Sequence, residues 1–142
     1  MVITPHIVVQ GAEAAAGFYR DAFGALELVR IPTPDGRLMS VELQIGESRL
    51  HLADEFPEFE VLGPPSIGGT AVVLSLDVDD AQAVFAQALA AGAEIRQPLH
   101  EAFWGDLYGQ LDDPFGHRWN VAQHLRDVPH EEIVAAAAQA FA

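Results

Sequence analysis

The sequence predicts an α+β fold made of two βαβββ modules set around a common centre. Two observations predict it. Residues 2–53 and 69–122 share a pattern at an offset of 67 to 69 positions: Phe18 in one helical run matches Phe85 in another, and Gly24-Ala25 matches Gly92-Ala93. The segment Gly46…Arg49-Leu50-His51-Leu52-Ala53 matches Gly116…Arg118-Trp119-Asn120-Val121-Ala122. The second observation is that helix, turn and final strand recur in the same order. A repeat of this length exceeds one helix or hairpin, so each copy is a small α/β unit. With 142 residues the chain is one domain. It divides into a first module (2–53), a linker (54–69), a second module (70–123) and a C-terminal helical segment (124–142).

Each element has its own signal. Ile3-Thr4-Pro5-His6-Ile7-Val8-Val9 reads as a strand. Residues 12–23 read as a helix, with Ala15, Tyr19 and Phe23 at four-residue spacing and Phe18 beside them. Gly24 ends it, because glycine accepts the left-handed conformation of a helix terminus. A strand over 25–31 follows. Pro32-Thr33-Pro34-Asp35-Gly36 is turn chemistry, and two more strands, 37–45 and 48–53, are split by Gly46-Glu47. The acidic stretch 54–60 and the Gly- and Pro-rich stretch 63–69 form the linker. The second module runs as a strand over 70–77, a helix over 80–91 opened by Asp79 or Asp80, and a strand over 93–97. After a long turn come strands 106–112 and 117–123, joined by Asp112-Asp113-Pro114-Phe115-Gly116. A last helix, 130–141, follows Pro129.

Composition excludes whole classes of function. There is no cysteine and no lysine, so disulfides, thiolate metal sites, cysteine nucleophiles, Schiff-base chemistry and a Walker-type phosphate loop are out. Seven basic residues against 21 acidic ones give a net charge of −14. That field repels nucleic acid and anionic membranes and favours solubility or a cationic partner. No apolar run approaches the roughly 18 residues of a membrane span. Met-Val-Ile-Thr-Pro-His lacks the pattern of a signal peptide, so a cytoplasmic address is expected.

Several segments are similar to those of a known family. They include Pro5-His6-Ile7-Val8-Val9, Gly17-Phe18-Tyr19-Arg20-Asp21-Ala22-Phe23-Gly24-Ala25, Val41-Glu42-Leu43-Gln44-Ile45-Gly46, Phe103-Trp104-Gly105-Asp106-Leu107-Tyr108-Gly109 and, most specific, Asp112-Asp113-Pro114-Phe115-Gly116-His117-Arg118-Trp119. With these the chain resembles the vicinal oxygen chelate superfamily of glyoxalases, bleomycin-resistance proteins and extradiol dioxygenases, in its PhnB-like branch. The resemblance implies that the two modules form a cupped mixed sheet with helices outside, and that chains pair as homodimers with shared cups. The superfamily hosts many chemistries and some pure binders, so activity does not follow from fold.

Strand parity assigns the faces, since alternate residues point to opposite sides. Val41, Leu43, Ile45, Leu50, Leu52, Trp119 and Val121 belong under the helices. Ser40, Glu42, Gln44, Arg49, His51, Arg118, Asn120, Thr4, His6, Ser75, Tyr108 and Gln110 then face the cup. Metal-dependent members of the superfamily draw His, Gln or Glu ligands from the first and last strands of each module. Those positions here are Thr4, His51, Ala71 and Asn120. Alanine cannot ligate, and threonine and neutral asparagine are poor ligands. No metal and no cofactor are therefore expected there, although His6, Glu42 and His51 define a relocated alternative.

Other candidates carry bland roles. The serines lie in no nucleophile-elbow context. Asp112-Asp113 shapes a turn, and His117 and His124 read as surface or edge residues. Trp104, on a long connection, is a lid over the cup, an interface anchor or core filling. The expected ligand-binding residues are His6, Glu42, His51, Trp104, Tyr108 and Asn120. Two functions stay open: a metal-free small-molecule-binding or resistance protein, and an enzyme of lyase, isomerase or dioxygenase type with a relocated metal or a Glu42–His51 acid–base pair.

Overall fold

A computed structural model describes residues 1–142. The chain runs β1 (His6–Val9), α1 (Ala12–Phe23), β2 (Leu26–Pro32), β3 (Leu38–Ile45) and β4 (Ser48–Asp54). A 3-10 turn (Pro57–Phe59) and a short α2 (Pro64–Ile67) cross the linker. Then come β5 (Val73–Asp77), α3 (Ala81–Ala91), β6 (Glu94–Glu101), β7 (Asp106–Asp112), β8 (Arg118–His124) and α4 (His130–Ala140). The predicted α+β architecture of two βαβββ modules is present.

The strands form two four-stranded mixed sheets, ordered β1-β4-β3-β2 and β5-β8-β7-β6. In each, the first strand lies parallel to the last and the other pairs are antiparallel. The repeat is kept to the residue. His51 pairs with His6 and Glu42, while Asn120 pairs with Ser75 and Gln110. Even the helix starts correspond. Asp54, at the end of β4, accepts from the Gly11 and Ala12 amides at 3.1 and 2.8 Å. Gln123, at the same place in β8, accepts from the Ala81 amide at 2.9 Å. Each last strand thus satisfies free N–H groups at the head of its own module's helix, which has no partners within the helix.

Two boundaries move for a backbone reason. The strand expected over 3–9 begins at His6, directly after Pro5, which has no N–H for a ladder. The strand expected over 93–97 extends to Glu101 because register shifts around Gln97 absorb Pro98 on an edge strand. The strand expected over 70–77 is ordered as a ladder only from Val73.

Packing follows parity. Val41, Leu43, Leu50, Leu52, Leu111, Trp119 and Val121 are buried beneath the helices. From α1 come Ala15, Phe18, Tyr19 and Ala22; from α3 come Ala81, Phe85 and Ala88. The glycine in β7 is explained here: a Cβ on Gly109 would stand 2.9 Å from the Phe85 ring, so α3 could not approach. The two modules share one core. α1 packs on α3, and Trp119 of the second module meets Tyr19 and Phe23 of the first at ring-centroid distances of 5.4 and 4.8 Å.

Asp113 sits at that seam, and its role is larger than the turn expected of it. Its Oδ1 accepts from the Phe115 and His117 amides at 2.8 and 3.0 Å, which does close the β7–β8 turn. Its Oδ2 accepts from Trp119 Nε1 at 2.9 Å and from the Tyr19 hydroxyl of α1. Burial, and then the Asp113 charge, push the Tyr19 hydroxyl well above its ordinary range, so the phenol stays a donor. His117 is also buried, not at the surface as predicted. Its Nε2–H donates to the Val8 carbonyl of the first module at 2.8 Å. The sequence offers no sign of this, because the partner is a main-chain atom 109 residues away. His124 is exposed as predicted, with Nε2 2.8 Å from Asp127.

Helix α4 buries none of its side chains fully, and Val134, with Phe141 just past its end, is exposed. No helix is long and apolar enough to cross a membrane.

Candidate functional site

The faces turned away from the helices carry the polar residues. On the first sheet, β1, β4 and β3 set His6, His51 and Glu42 side by side, because His51 is the register partner of both the others. The two imidazoles meet edge-on with centroids 6.3 Å apart. His51 Nε2 lies 3.8 Å from Glu42 Oε2, and Glu42 Oε1 accepts from Arg49 Nη1 at 2.6 Å. The Glu42 carboxylate therefore stands between a guanidinium and an imidazole. His6 is held below its ordinary histidine value, first by partial withdrawal from water and then by His51.

The equivalent residues of the second sheet are neutral. Ser75 replaces His6, Gln110 replaces Glu42 and Asn120 replaces His51. They form a closed network. Asn120 Oδ1 accepts from the Tyr108 hydroxyl at 2.9 Å and from Gln110 Nε2 at 2.8 Å. Gln110 Nε2 also reaches the Tyr108 oxygen at 3.1 Å, and Asn120 Nδ2 donates to Ser75 Oγ at 3.1 Å. These bonds fix the Asn120 amide, with its second N–H and the Gln110 carbonyl left for a ligand.

Aromatic rings wall one side. Tyr108 meets His100 and Trp104 edge-on at 5.9 and 5.1 Å. Trp104 is half-buried in the β6–β7 connection, and its Nε1–H donates to Asp106 at 3.0 Å. The structure thus brings Trp104, Tyr108 and Asn120 together on one sheet, and His6, Glu42 and His51 together on the other. Gln110 faces the cup as the sequence predicts but was not among the expected ligand-binding residues, and His100 was not singled out at all. The repeat alignment of Gln110 with Glu42 was the signal for the first. His100 had none, since the strand carrying it extends past its predicted end.

Both arginines of these faces contact a carboxylate. Arg49 is paired with Glu42, and Arg118 shares Asp112 with Arg96 at 3.4 Å each. Each of the two thus has a carboxylate neighbour, within a chain whose net charge is −14.

The donor set does not fit the divalent ion of metal-dependent superfamily members. The ladder register puts His6, not the expected Thr4, beside His51, and Ser75, not the expected Ala71, beside Asn120. Ser75 and Asn120 are weak neutral donors. The Asn120 oxygen is committed to Tyr108 and Gln110, and Ser75 Oγ accepts from Asn120 Nδ2, which leaves only the two imidazoles. No group of three His, Asp or Glu side chains converges on a metal-sized shell, the His6–Glu42–His51 set included.

The larger clefts lie at the seam between modules. One of about 900 Å³ runs along Phe23, Ile45, Leu76 and Val84, and one of about 370 Å³ lies among Ile3, Leu50, Leu74 and Trp119. Neither is lined by Glu42, His51, Tyr108 or Asn120. The polar faces are open surfaces, on two sheets that share no ladder hydrogen bond.

Paired βαβββ modules with polar faces opposite their helices define a class of duplicated, cup-forming proteins. Residues 3–121 match the Glyoxalase/Bleomycin resistance protein/Dioxygenase superfamily, and the chain belongs to it. It is 43% identical over 137 residues to the uncharacterized protein Mb0911c of Mycobacterium bovis, covering 94% of this chain and 90% of that one. Among solved structures it is similar to protein PA1353 from Pseudomonas aeruginosa, with TM-score 0.73, 25% identity and coverage of 89% and 99% of the two chains. A PhnB protein from Bacillus cereus shares the fold at TM-score 0.68 and 18% identity, over 87% and 99% of the chains.

Proposed function

We propose that this chain is a small-molecule-binding protein that works without a protein-bound metal, and that two copies close each cup. The observation that carries this is the neutral Ser75–Gln110–Asn120–Tyr108 network at positions repeat-equivalent to His6, Glu42, His51 and Ser40. Such a set recognises by hydrogen bonding and does not ligate. The ligand sits between the His51-bearing face of one chain and the Asn120-bearing face of a second, and Trp104 and Tyr108 cap it. An open face cannot enclose a small molecule, whereas binding sites usually bury most of their ligand; a second copy supplies the missing wall. With both arginines paired and a net charge of −14, the ligand is uncharged or cationic, and aromatic faces attract cations by roughly 0.5 to 2 kcal/mol.

The test has two parts. Protein purified without chelator is assayed for Fe, Mn, Ni and Zn, and a library of small molecules is screened by thermal shift, since a ligand selective for the native state raises stability. Substoichiometric metal and stabilisation by neutral or cationic compounds support the reading. Equimolar metal, lost in His51→Ala, overturns it.

The 3.8 Å approach of His51 to Glu42 supports a second reading, proton transfer by that pair. Turnover of any hit compound that is abolished in Glu42→Gln, with binding kept, would decide for it.

A further inference from the structure

The outermost strand of the first sheet is inverted. Its charged residues turn toward the helix side and its apolar residues toward the open polar face. Glu27 and Arg30 pair with the core positions Leu43 and Val41, and Arg30 bridges Glu27 and Glu13 of α1 at 2.8 and 3.0 Å. Leu26, Val29 and Ile31 instead stand opposite Gln44, Glu42 and Ser40. Residues directly opposite in an antiparallel ladder share a face, so these three lie on the face that carries His51. A bulge between Glu27 and Val29 produces the arrangement. Without it Leu28 would take the place opposite Glu42. All three are open, at 61, 44 and 41% exposure.

The fold does not require this strip. At the matching places of β6, Glu94, Gln97 and His100 stand opposite Asp112, Gln110 and Tyr108. A bare apolar edge is a liability that proteins usually blunt with charge, and here the charges are spent on the other side. The strip is one strand wide. Its few side chains make a patch of the size that is often functional, a few hundred Å², well short of the ~800 Å² a partner contributes to a stable interface. It is continuous with the Glu42–His51–Arg49 centre, because Val29 is the direct neighbour of Glu42.

We infer that Leu26, Val29 and Ile31 form an apolar subsite of the cup, and that the ligand is amphipathic. Its polar or cationic group lies at Glu42, His51 and Asn120, and an uncharged hydrocarbon or aromatic arm lies along β2. Five residue steps from Leu26 to Ile31 give the arm a span of about 16 Å. This inference rests on the reading of the polar faces as a small-molecule site.

The test uses the uncharged dye Nile red, followed by fluorescence titration on the full chain, with light scattering on each variant. Val29→Glu and Ile31→Glu are expected to raise its Kd at least tenfold with the chain's mass in solution unchanged. Trp104→Ala is expected to raise it too, and Phe59→Glu, an exposed apolar position on the linker, to leave it unchanged. If Val29→Glu fails to fold, the near-isosteric Val29→Thr should still weaken the dye several-fold. Weakening by Trp104→Ala with none by the β2 variants overturns the subsite and leaves the cup standing. No weakening by any of the three, or equal weakening by Phe59→Glu, overturns subsite and cup together. A change of mass in Val29→Glu shows that a second chain, not ligand, covers the strip, and overturns the subsite alone.

Discussion

His6 and His51 stand side by side on parallel strands, and only their surroundings differ. Partial burial and the neighbouring His51 hold His6 below its ordinary value. The folded chain therefore binds that proton more weakly than the unfolded chain does. Above the unfolded value, near ~6.5, His6 costs nothing; as pH falls through it and on through the lowered folded value, stability is lost. His6→Gln should flatten the decline of Tm between about pH 7 and 5, and an unchanged decline would assign it to other groups. Glu42, Arg49 and His51 share the face and stay in place in that variant. At Trp104, removal of the ring should weaken ligand binding by about 2 kcal/mol, the scale of a buried aromatic anchor, with the circular dichroism spectrum kept. His51→Ala should change the ranking of ligands in a thermal-shift panel more than it changes the Tm of the free protein.

At the scale of elements, two carboxylates do different structural work. Asp54 ties the head of α1 to β4 and also accepts from the Leu38 amide at 2.7 Å. Asp54→Ala should cost about 1–2 kcal/mol, as for lost helix caps. Asp113 joins the β7–β8 turn to α1 and Trp119. Asp113→Ala leaves the Tyr19 hydroxyl and the Trp119 N–H buried without a partner, so about 3 kcal/mol or more should be lost in denaturant unfolding. A loss below 1 kcal/mol would mean that water replaces the carboxylate. These two residues also show where sequence reading reaches and where it stops. Helix 12–23 was legible to the residue, because its periodicity is local and Gly24 ends it. Face assignments were legible because buried strands keep a period of two. The Asp113 hub was not: Asp-Asp-Pro-Phe-Gly reads fully as a turn, and Tyr19 is 94 residues away. The ligand-facing set was legible as positions, through the repeat. Its wiring was not, since a neutral network and a charged cluster look alike until side chains are placed.

For the whole molecule, the question is how two open sheets become a binding site. Each chain presents one face centred on the ionisable His6, Glu42 and His51 and one centred on the neutral Ser75, Gln110 and Asn120, and no backbone ladder joins the sheets that bear them. We expect a homodimer at micromolar concentration by light scattering; a monomer would leave both faces open and remove the basis for enclosure. Two chains of charge −14 repel each other. Association should therefore strengthen as salt rises from about 20 to 200 mM, as screening over a Debye length of ~10 Å weakens the repulsion. Weakening with salt would point instead to an interface built on ion pairs.

The correspondence of His6, Glu42 and His51 with Ser75, Gln110 and Asn120 has a practical meaning for anyone redesigning the protein. The chain already contains its own substitution experiment. One backbone plan is populated twice, once with ionisable groups and once with uncharged polar ones, and both versions sit in one folded molecule. Glu42→Gln and His51→Asn would simply write the downstream text into the upstream half, together with Ser40→Tyr to supply the missing hydroxyl. The reverse exchange, Gln110→Glu with Asn120→His, would create a chain with two acid–base faces. The two halves are a pair of templates on one plan, each a guide to what could be written into the other.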